Sequence, residues 1–320
     1  MHSYEINYKE DKQVWDSFVS TSPQRSVFVY SRFLDSLLVN YDLVTCYDKE
    51  KIVAGGVMIY SDSGKLIGAP FPFTQYQGVL LAESSSQLGH SRTTREFRVM
   101  EKFIAQLVER YTNFCFCQSW RLHDLRPFQW HNYSEPSMGM FDISLRYSSV
   151  LDIRKFHDFE SYFSSIRTVR KQEFNKSSKL LTLKISSDEI ILDDLHAKTL
   201  ERQNIIRTDR ESSLVRSIAK QAILGGYGEM ACAILDDLPI SAVLFLYDDR
   251  TAYYLFGAND PSKRHNFSGT FTLLNMIKNA FEKGIQEIDF VGVNSPNRGD
   301  FKISLNSELR PYFVTSINTA

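Results

Sequence analysis

A carboxylate interrupts one of the most apolar segments of the chain. Asp289 lies between Ile288 and Phe290, and a carboxylate in such a strand must be hydrogen-bonded, exposed at a cleft or raised in pKa by burial. It could accept a proton from an attacking amine, or it could hold the turn from Asn294 to Asn297. Both roles stay open for Asp289, and Asn294 becomes a candidate substrate-binding residue.

Two adjacent tyrosines occupy another predicted strand. Because successive side chains of a strand point to opposite faces, at most one of Tyr253 and Tyr254 can face a cleft while the other packs in the core. A tyrosine hydroxyl could return a proton to a leaving group. We take Tyr253 as the catalytic candidate, with core or rim packing as the other interpretation.

A polar loop, Asn259 to Gly269, joins this strand to an amphipathic helix. It brings the cations of Lys263 and Arg264, together with the backbone N–H groups near Ser268 and Gly269, to the beginning of the helix, where anions are stabilised. The loop could therefore bind the pyrophosphate of a donor. The alternative is a solvated connection in which Ser268 caps the helix.

Planar and hydrogen-bonding side chains cluster at two further places. Arg202 and Gln203 follow Leu200 on a predicted helix and could bind sugar hydroxyls or a phosphate, or belong to a solvated face. Trp130, in the segment HDLRPFQWHNY, could stack on a sugar ring. Packing between domains is the other interpretation of that segment.

A run of cations, opposed only by Glu173, occupies the middle of the chain. It could follow an RNA backbone or hold the pyrophosphate of a nucleotide sugar, or it could face solvent. Its members are Arg167, Arg170, Lys171, Lys176, Lys179 and Lys184.

Composition limits the class of protein. The 320 residues are 43% hydrophobic and 13% aromatic, which excludes a disordered chain. A formal net charge of -1 argues against a DNA partner. No segment approaches the ~20 continuous apolar residues that cross a bilayer. We therefore expect a cytoplasmic protein without a transmembrane segment.

The absence of known catalytic motifs argues against several kinds of active site. The chain has no GxSxG, HExxH, Walker or GxGxxG pattern, so hydrolase, zinc-protease, NTPase and dinucleotide-binding functions lose their support. Its 7 histidines show no metal-ligand spacing. Cys115 and Cys117 lack the further ligands that a zinc site needs. We expect no metal and core thiols.

The order of elements is the same in both halves. Each half is predicted to contain a hairpin, an amphipathic helix and a strand, which indicates two related units in tandem. The expected fold class is α+β, with mixed, mainly antiparallel sheets flanked by helices. We place the domains at 1–150 and 151–320. In the second, Phe156 to Ser178 is predicted as one helix and Glu287 to Val293 as a strand.

The second half also resembles a family. The segment from Tyr253 to Asn306, which contains YYLFGANDPSKRHNFSGTF and ends in GDFKISLN, is similar to the C-terminal half of tandem GNAT-type acyltransferases. These include the FemABX aminoacyltransferases and their cellulose-biosynthesis-type relatives. The segments SIRTVRKQEFNKSSK (Ser165 to Lys179) and TLERQN (Thr199 to Asn204) resemble the basic helix and the cleft-facing helix of that half.

The resemblance implies two GNAT-like domains, with the site between them or on the second. It also implies that Lys302, in the pair Phe301-Lys302, lies near the reacting ester of the donor. A cation there would stabilise the oxyanion that forms when an amine attacks the carbonyl. Without the resemblance, Lys302 after Asp300 is a surface lysine.

The function expected is N-acyl transfer to the amine of an amino sugar or cell-envelope precursor, as in polysaccharide biosynthesis. The donor favoured is acyl-CoA, although the usual Gln/Arg-x-x-Gly-x-Gly/Ala signature is replaced by His265 to Gly269. The alternatives are an aminoacyl-tRNA-dependent aminoacyltransferase and a non-catalytic binding module in polysaccharide assembly. The partners are a small-molecule or glycan-precursor acceptor and, in the first alternative, tRNA.

Overall fold

The computed structural model describes residues 4–83 and 88–318, apart from the side chains of residues 296–298. Asn297, named above as a turn residue, therefore has its side chain outside the described residues. The chain divides into two compact units. Unit 1 comprises the chain up to Asp35, Val39–Arg146 and the chain from Pro311 onward; unit 2 comprises Ser36–Leu38 and Tyr147–Arg310.

Strands and helices alternate along the described chain. The strands are β1 (Tyr4–Asn7), β2 (Tyr41–Asp48), β3 (Lys51–Ile59), β4 (Leu80–Leu81), β5 (Asn113–Cys117), β6 (Asp142–Asp152), β7 (Thr182–Ser186), β8 (Gly228–Leu235), β9 (Leu238–Tyr247), β10 (Thr251–Asn259), β11 (Glu287–Asp289) and β12 (Glu308–Asn318). The helices are α1 (Lys12–Thr21), α2 (Ser31–Leu34), α3 (Gly89–Arg110), α4 (Arg126–Gln129), α5 (Phe159–Ser165), α6 (Thr168–Ser177), α7 (Glu189–Glu201), α8 (Asp209–Leu224), α9 (Ser268–Glu282) and α10 (Pro296–Ile303).

Unit 1 contains an antiparallel sheet in the order β1-β2-β3-β4 and the antiparallel pair β5–β12. Helix α3 buries Met100, Phe103, Ile104 and Leu107 in the same hydrophobic cluster as Phe114. Spacings of three and four residues place these side chains on one face of a helix. The amphipathic helix predicted in the first half is confirmed.

Unit 2 contains strands in the order β6-β11-β10-β9-β8-β7. All neighbouring pairs are antiparallel except β10 and β11, which are parallel. Helix α9 packs Leu273, Leu274 and Ile277 into the core of the unit, and Gly284 after it has φ +69°, as expected for a helix C-terminus. The expected α+β class with mainly antiparallel sheets is confirmed.

The predicted single helix from Phe156 to Ser178 is wrong. Helix α5 begins with a capping box at Asp158, and Ile166 and Arg167 are then extended before α6. The backbone N–H of Arg167 donates to the Ser304 carbonyl, with an N···O distance of 3.0 Å. The break is therefore fixed by a contact with a distant part of the chain, which local sequence does not show.

The strand predicted from Glu287 to Val293 is also shorter in the structure. It ends at Asp289 because Val291 and Gly292 have φ values of +49° and +76°. Such residues cannot continue a strand. The end of β11 is consequently a turn, and it becomes the centre of the candidate site.

Gly55 in β3 provides a test of the core of unit 1. A Cβ at this position would lie 2.7 Å from Trp15 Cζ3, 3.0 Å from Phe18 Cε1 and 3.1 Å from the Val44 carbonyl oxygen. Because the interior is closely packed, we expect Gly55→Ala to destabilise the protein by about 1–3 kcal/mol. Thermal unfolding followed by circular dichroism measures the change.

Gly89 is the matched control, since a Cβ there meets nothing within 4 Å and the residue begins α3. We expect Gly89→Ala to leave the melting temperature unchanged or slightly raised. Equal melting temperatures for Gly55→Ala and the wild type would contradict the packing described for Trp15 and Phe18.

Candidate active site

Lys302 is bonded to the turn that follows β11. It lies in the last turn of α10, and its ammonium donates to the carbonyl oxygens of Phe290, Val291 and Gly292 at 2.5, 2.9 and 2.7 Å. The Nζ atom is also 5.6 Å from the ring centroid of Tyr254. An ammonium has three hydrogens, so these carbonyls use all of them. Direct donation to an oxyanion would require Lys302 to release one carbonyl.

Asp289 supports the same turn from the inside. Asp289 is only 1% exposed. Its Oδ1 accepts hydrogen bonds from the Ser148 hydroxyl at 2.5 Å and from the Val291 N–H at 2.8 Å. Ser148 Oγ in turn accepts from the Gly292 N–H at 3.2 Å. Of the two roles that the sequence left open, these bonds favour the structural one.

Asn294 anchors the other end of the turn to β6. Its side chain accepts from the Tyr147 N–H at 2.8 Å and donates to the Tyr147 carbonyl at 3.0 Å. The Phe290 N–H donates to the Ser149 carbonyl at 2.9 Å. The structure thus brings three predicted site residues, Lys302, Asp289 and Asn294, to one turn. We call Phe290–Asn294 the β11 turn.

Tyr253 and Tyr254 point to opposite faces of β10, as the sequence predicts. Tyr253 is 3% exposed and donates to Asp248 Oδ2 at 2.7 Å; burial and the neighbouring carboxylate raise its pKa well above the ordinary value. Tyr254 is half-buried, with its ring 6.3 Å from that of Phe290. Tyr254, which the sequence left unassigned, is the tyrosine beside Lys302.

Strands β10 and β11 diverge next to Tyr254. Their parallel pairing covers only Thr251–Tyr253 and Glu287–Asp289. The register of β10 against β9 shifts between Tyr254 and Phe256, so Leu255 is the extra residue of a β-bulge. After the bulge, β10 stays paired with β9 but is no longer paired with β11. Within the described strands, the opposite edge of β10 after Tyr253 has no strand partner.

Backbone N–H groups point to that edge at alternate residues. The N–H of Asp260 donates to the carbonyl of Ile240 in β9, whereas the N–H of Asn259 donates to Thr199 Oγ1. Because the direction alternates along a strand, the N–H of Gly257 points to the same edge as that of Asn259. An acyl carbonyl placed at this edge would meet a backbone donor.

Gly257 also makes room for the Tyr254 side chain. A Cβ on Gly257 would lie 1.8 Å from Tyr254 Oη, and Gly257 does not have a positive φ. The glycine is therefore needed for space and not for backbone conformation. The bulge places the two residues on one face, with the phenol oxygen over the glycine.

The predicted donor loop forms a 3-10 helix, Pro261–Asn266, before α9. Asp260 begins it by accepting from the Ser262 N–H at 2.9 Å, and Lys198 lies 2.9 Å from its other carboxylate oxygen. Hydrogen bonds from Ser262, together with Lys198, lower the pKa of Asp260 to about 2. Lys263 is half-buried and Arg264 is exposed, so two cations lie close in sequence to the beginning of α9.

Helix α9 starts without a side-chain cap. Phe267 takes the N-cap position with φ +53°, and Ser268 is the first helical residue, 2% exposed. The expectation that Ser268 caps the helix is wrong. Phe267 occupies the N-cap position, so Ser268 is already the first residue of the helix. A Cβ on Gly269 would be 2.8 Å from Asn259 Oδ1, so the carboxamide of Asn259 lies directly over Gly269.

The remaining predicted substrate-binding residues lie elsewhere. Arg202 is exposed at the C-terminal end of α7, and Gln203 donates to the Thr199 carbonyl at 3.0 Å. Trp130 belongs to unit 1 and is 52% exposed; its ring is 5.4 Å from that of Phe97.

Thiols and carboxylates give no metal site in the described chain. Burial raises the pKa of Cys115 to about 11 and of Cys117 to about 12, as in core thiols. Among residues 4–83 and 88–318, no group of three or more histidine, cysteine and acidic side chains could hold a metal ion. None of the helices described has the length and apolar character needed to span a membrane.

Solved structures share the whole fold. The crystal structure of FemX matches with a TM-score of 0.65 and 13% identity, over 97% of this chain and 96% of that one. A conserved protein of unknown function from Bacteroides thetaiotaomicron matches with a TM-score of 0.61 and 11% identity, over 99% and 100%. A tandem GNAT protein from the clavulanic acid biosynthesis pathway gives 0.55 and 13%, over 98% of each chain.

The sequence comparison covers the part of the chain that holds the candidate site. Residues 166–302 match the family described as Acetyltransferase (GNAT) domain; no curated protein gives a significant match. The matched range ends at Lys302 and includes both diverging strands, the donor loop and the β11 turn. Residues 166–302 therefore match an acetyltransferase (GNAT) domain, and the chain shares its fold with FemX and with a tandem GNAT protein.

Proposed function

We propose that this protein is an acyltransferase that moves an acyl group from acyl-CoA to the amine of an amino sugar or cell-envelope precursor. The observation that carries the proposal is the position of Lys302, whose ammonium lies at the β11 turn, where β10 and β11 diverge. A positive charge beside a strand edge that, within the described strands, has no strand partner after Tyr253 is suited to a carbonyl that becomes negatively charged during reaction.

The reaction needs no covalent enzyme intermediate. A neutral amine attacks the acyl carbonyl carbon, the new C–N bond forms, and the carbonyl electrons move to oxygen. Lys302 and the N–H of Gly257 stabilise that oxygen. The C–S bond then breaks, the leaving sulfur takes a proton from Tyr254, and water returns the proton lost by the amine to Tyr254.

Asp289 has a positioning role in this scheme. Its carboxylate is buried and bonded to Ser148 and Val291, so water is the better acceptor for the amine proton. Asp289 keeps the β11 turn in the shape that directs three carbonyl oxygens to Lys302. Tyr253 supports β10 through Asp248 and does not reach the reacting atoms.

The donor loop fits a diphosphate in charge. Lys263 and Arg264 precede α9, and the N–H groups of its first turn have no intrahelical acceptor. The nearby carboxylates are compensated, since Asp260 pairs with Lys198 and Glu173 pairs with Arg170. We assign Ser268 and Gly269 to the same anion-binding turn.

Aminoacyl-tRNA is the second candidate donor. Lys176, Lys179 and Lys184 are exposed along the end of α6 and in β7, which suits a phosphate backbone. Arg167 and Arg170 are paired with Asp300 and Glu173, which leaves fewer cations for RNA than the sequence alone indicates. For this reason acyl-CoA remains the first choice.

A binding screen separates the two donors. Thermal shift is measured with acetyl-CoA, longer acyl-CoAs, charged tRNA and nucleotide sugars, each at low and high salt. We expect acyl-CoA to raise the melting temperature, since a ligand stabilises the state it binds. No shift with any acyl-CoA, together with a salt-sensitive shift with charged tRNA, would replace acyl-CoA by aminoacyl-tRNA.

Lys302→Met tests the oxyanion role. Loss of the charge should lower kcat by about 100-fold or more, measured as thiol release from acetyl-CoA with glucosamine as acceptor. It should also destabilise the protein by about 1–3 kcal/mol, because three partly buried carbonyls lose their donor. The control is Lys155→Met, which removes an exposed lysine paired with Glu308. A folded Lys302→Met variant with wild-type kcat would disprove the role.

Tyr254 and Tyr253 should respond in opposite ways to loss of the hydroxyl. We expect Tyr254→Phe to lower kcat by about 100-fold with an unchanged melting temperature, and Gly257→Ala, which displaces the phenol, to lower it similarly. Tyr253→Phe should keep kcat and lose about 1–3 kcal/mol of stability, since buried Asp248 loses a donor. The reverse pattern would return the catalytic role to Tyr253.

A further inference from the structure

Helix α6 contacts both helices that carry the candidate site. Helix α9 begins at the predicted donor loop, and α10 carries Lys302. The two helices are separate in sequence, and α6 makes side-chain hydrogen bonds to Thr270 in α9 and to Ser304 at the end of α10. The side chains of α6 that reach them are Arg170, a member of the basic run, and Glu173, the one acidic residue that opposes the run.

Glu173 connects α6 with the first turn of α9. Its Oε2 accepts from the Thr270 hydroxyl at 2.7 Å and from Arg170 Nη1 at 2.6 Å. Thr270 is 5% exposed, so its hydroxyl is bonded within the protein. Ser268 and Gly269, the predicted donor-binding residues, are the two residues before it.

Arg170, the ion-pair partner of Glu173, connects α6 with α10. Its Nε donates to Ser304 Oγ at 3.0 Å, and its guanidinium carbon is 4.9 Å from the ring centroid of Phe301. Phe301 directly precedes Lys302, and Ser304 lies two residues after it. The Arg167 N–H also donates to the Ser304 carbonyl, which ties the start of α6 to the same point.

We propose that Arg170 and Glu173 are positioning residues that set the distance between the donor-binding turn of α9 and Lys302 on α10. The inference rests on the proposed function, since it takes these two places as the ends of one acyl-donor site. The geometry that favours it is a single ion pair whose two members each bond a different site-bearing helix.

Burial makes the ion pair specific. The side chains of Arg170 and Glu173 are 16% and 13% exposed, so neither charge has much water to replace its partner. The planar guanidinium uses separate N–H groups for Glu173 and Ser304, which a lysine cannot do in the same directions. Loss of either partner should therefore shift both helices and not only one.

The test uses Glu173→Gln, Arg170→Lys and the double variant Arg170→Met/Glu173→Met in the full chain. Thiol release from acetyl-CoA with glucosamine gives kcat and KM. A displaced site should lower kcat by roughly 10- to 100-fold in the single variants. In the double variant, which leaves no unpaired charge, we expect the melting temperature to recover while kcat stays low.

Hydrogen exchange gives a readout that does not need turnover. Glu173→Gln changes only α6, yet we expect faster exchange in the first turn of α9 and throughout α10. Lys155→Gln is the matched control, because it removes an ion pair whose side chains are 53% and 49% exposed, and it should change neither kcat nor exchange in α9 and α10.

The two proposals fail in different ways. Absence of turnover by the wild type with every donor and acceptor tested overturns the proposed function, while the exchange data still test the positioning role. Wild-type kcat in folded Glu173→Gln and Arg170→Lys variants overturns the positioning role. So does recovery of kcat together with the melting temperature in the double variant, which would show a purely structural ion pair.

Discussion

The candidate site depends on one ammonium group bonded to three backbone carbonyls. After Asp289 the chain turns through Val291 and Gly292, both with positive φ, and Val291 takes this conformation at a steric cost. Three carbonyl oxygens then converge, which is unfavourable without a cation. Lys302 supplies that cation. The ammonium that we propose to stabilise the oxyanion is therefore also the cation that holds the three carbonyl oxygens of this turn together.

Local patterns in the sequence were sufficient for most elements. The apolar spacing of α3 and α9 shows where each helix packs, and Gly284 marks the end of α9 through its conformational freedom. Asp289 could be singled out because a carboxylate in an apolar strand needs partners. Lys302 required the resemblance to a family, since a lysine near Asp300 has no distinctive local environment in sequence.

Other features depend on contacts between distant residues and were not predicted. The break at Ile166 and Arg167 follows from the bond between Arg167 and Ser304. Alternation places Tyr253 and Tyr254 on opposite faces but does not say which face is the site. The signal available was Gly257: a glycine three residues after Tyr254 in a strand indicates close approach by another group. Here that group is the Tyr254 phenol.

The pairing of β5 with β12 has a consequence for biosynthesis. Gln118 Nε2 donates to Thr315 Oγ1 across 197 positions of the chain, and both residues belong to unit 1. A ribosome must therefore translate all of unit 2 before the first unit receives its last strand. Until then the Phe114–Phe116 edge stays uncovered, so nascent chains should need protection from aggregation. Unit 2, encoded almost without interruption, has no such delay.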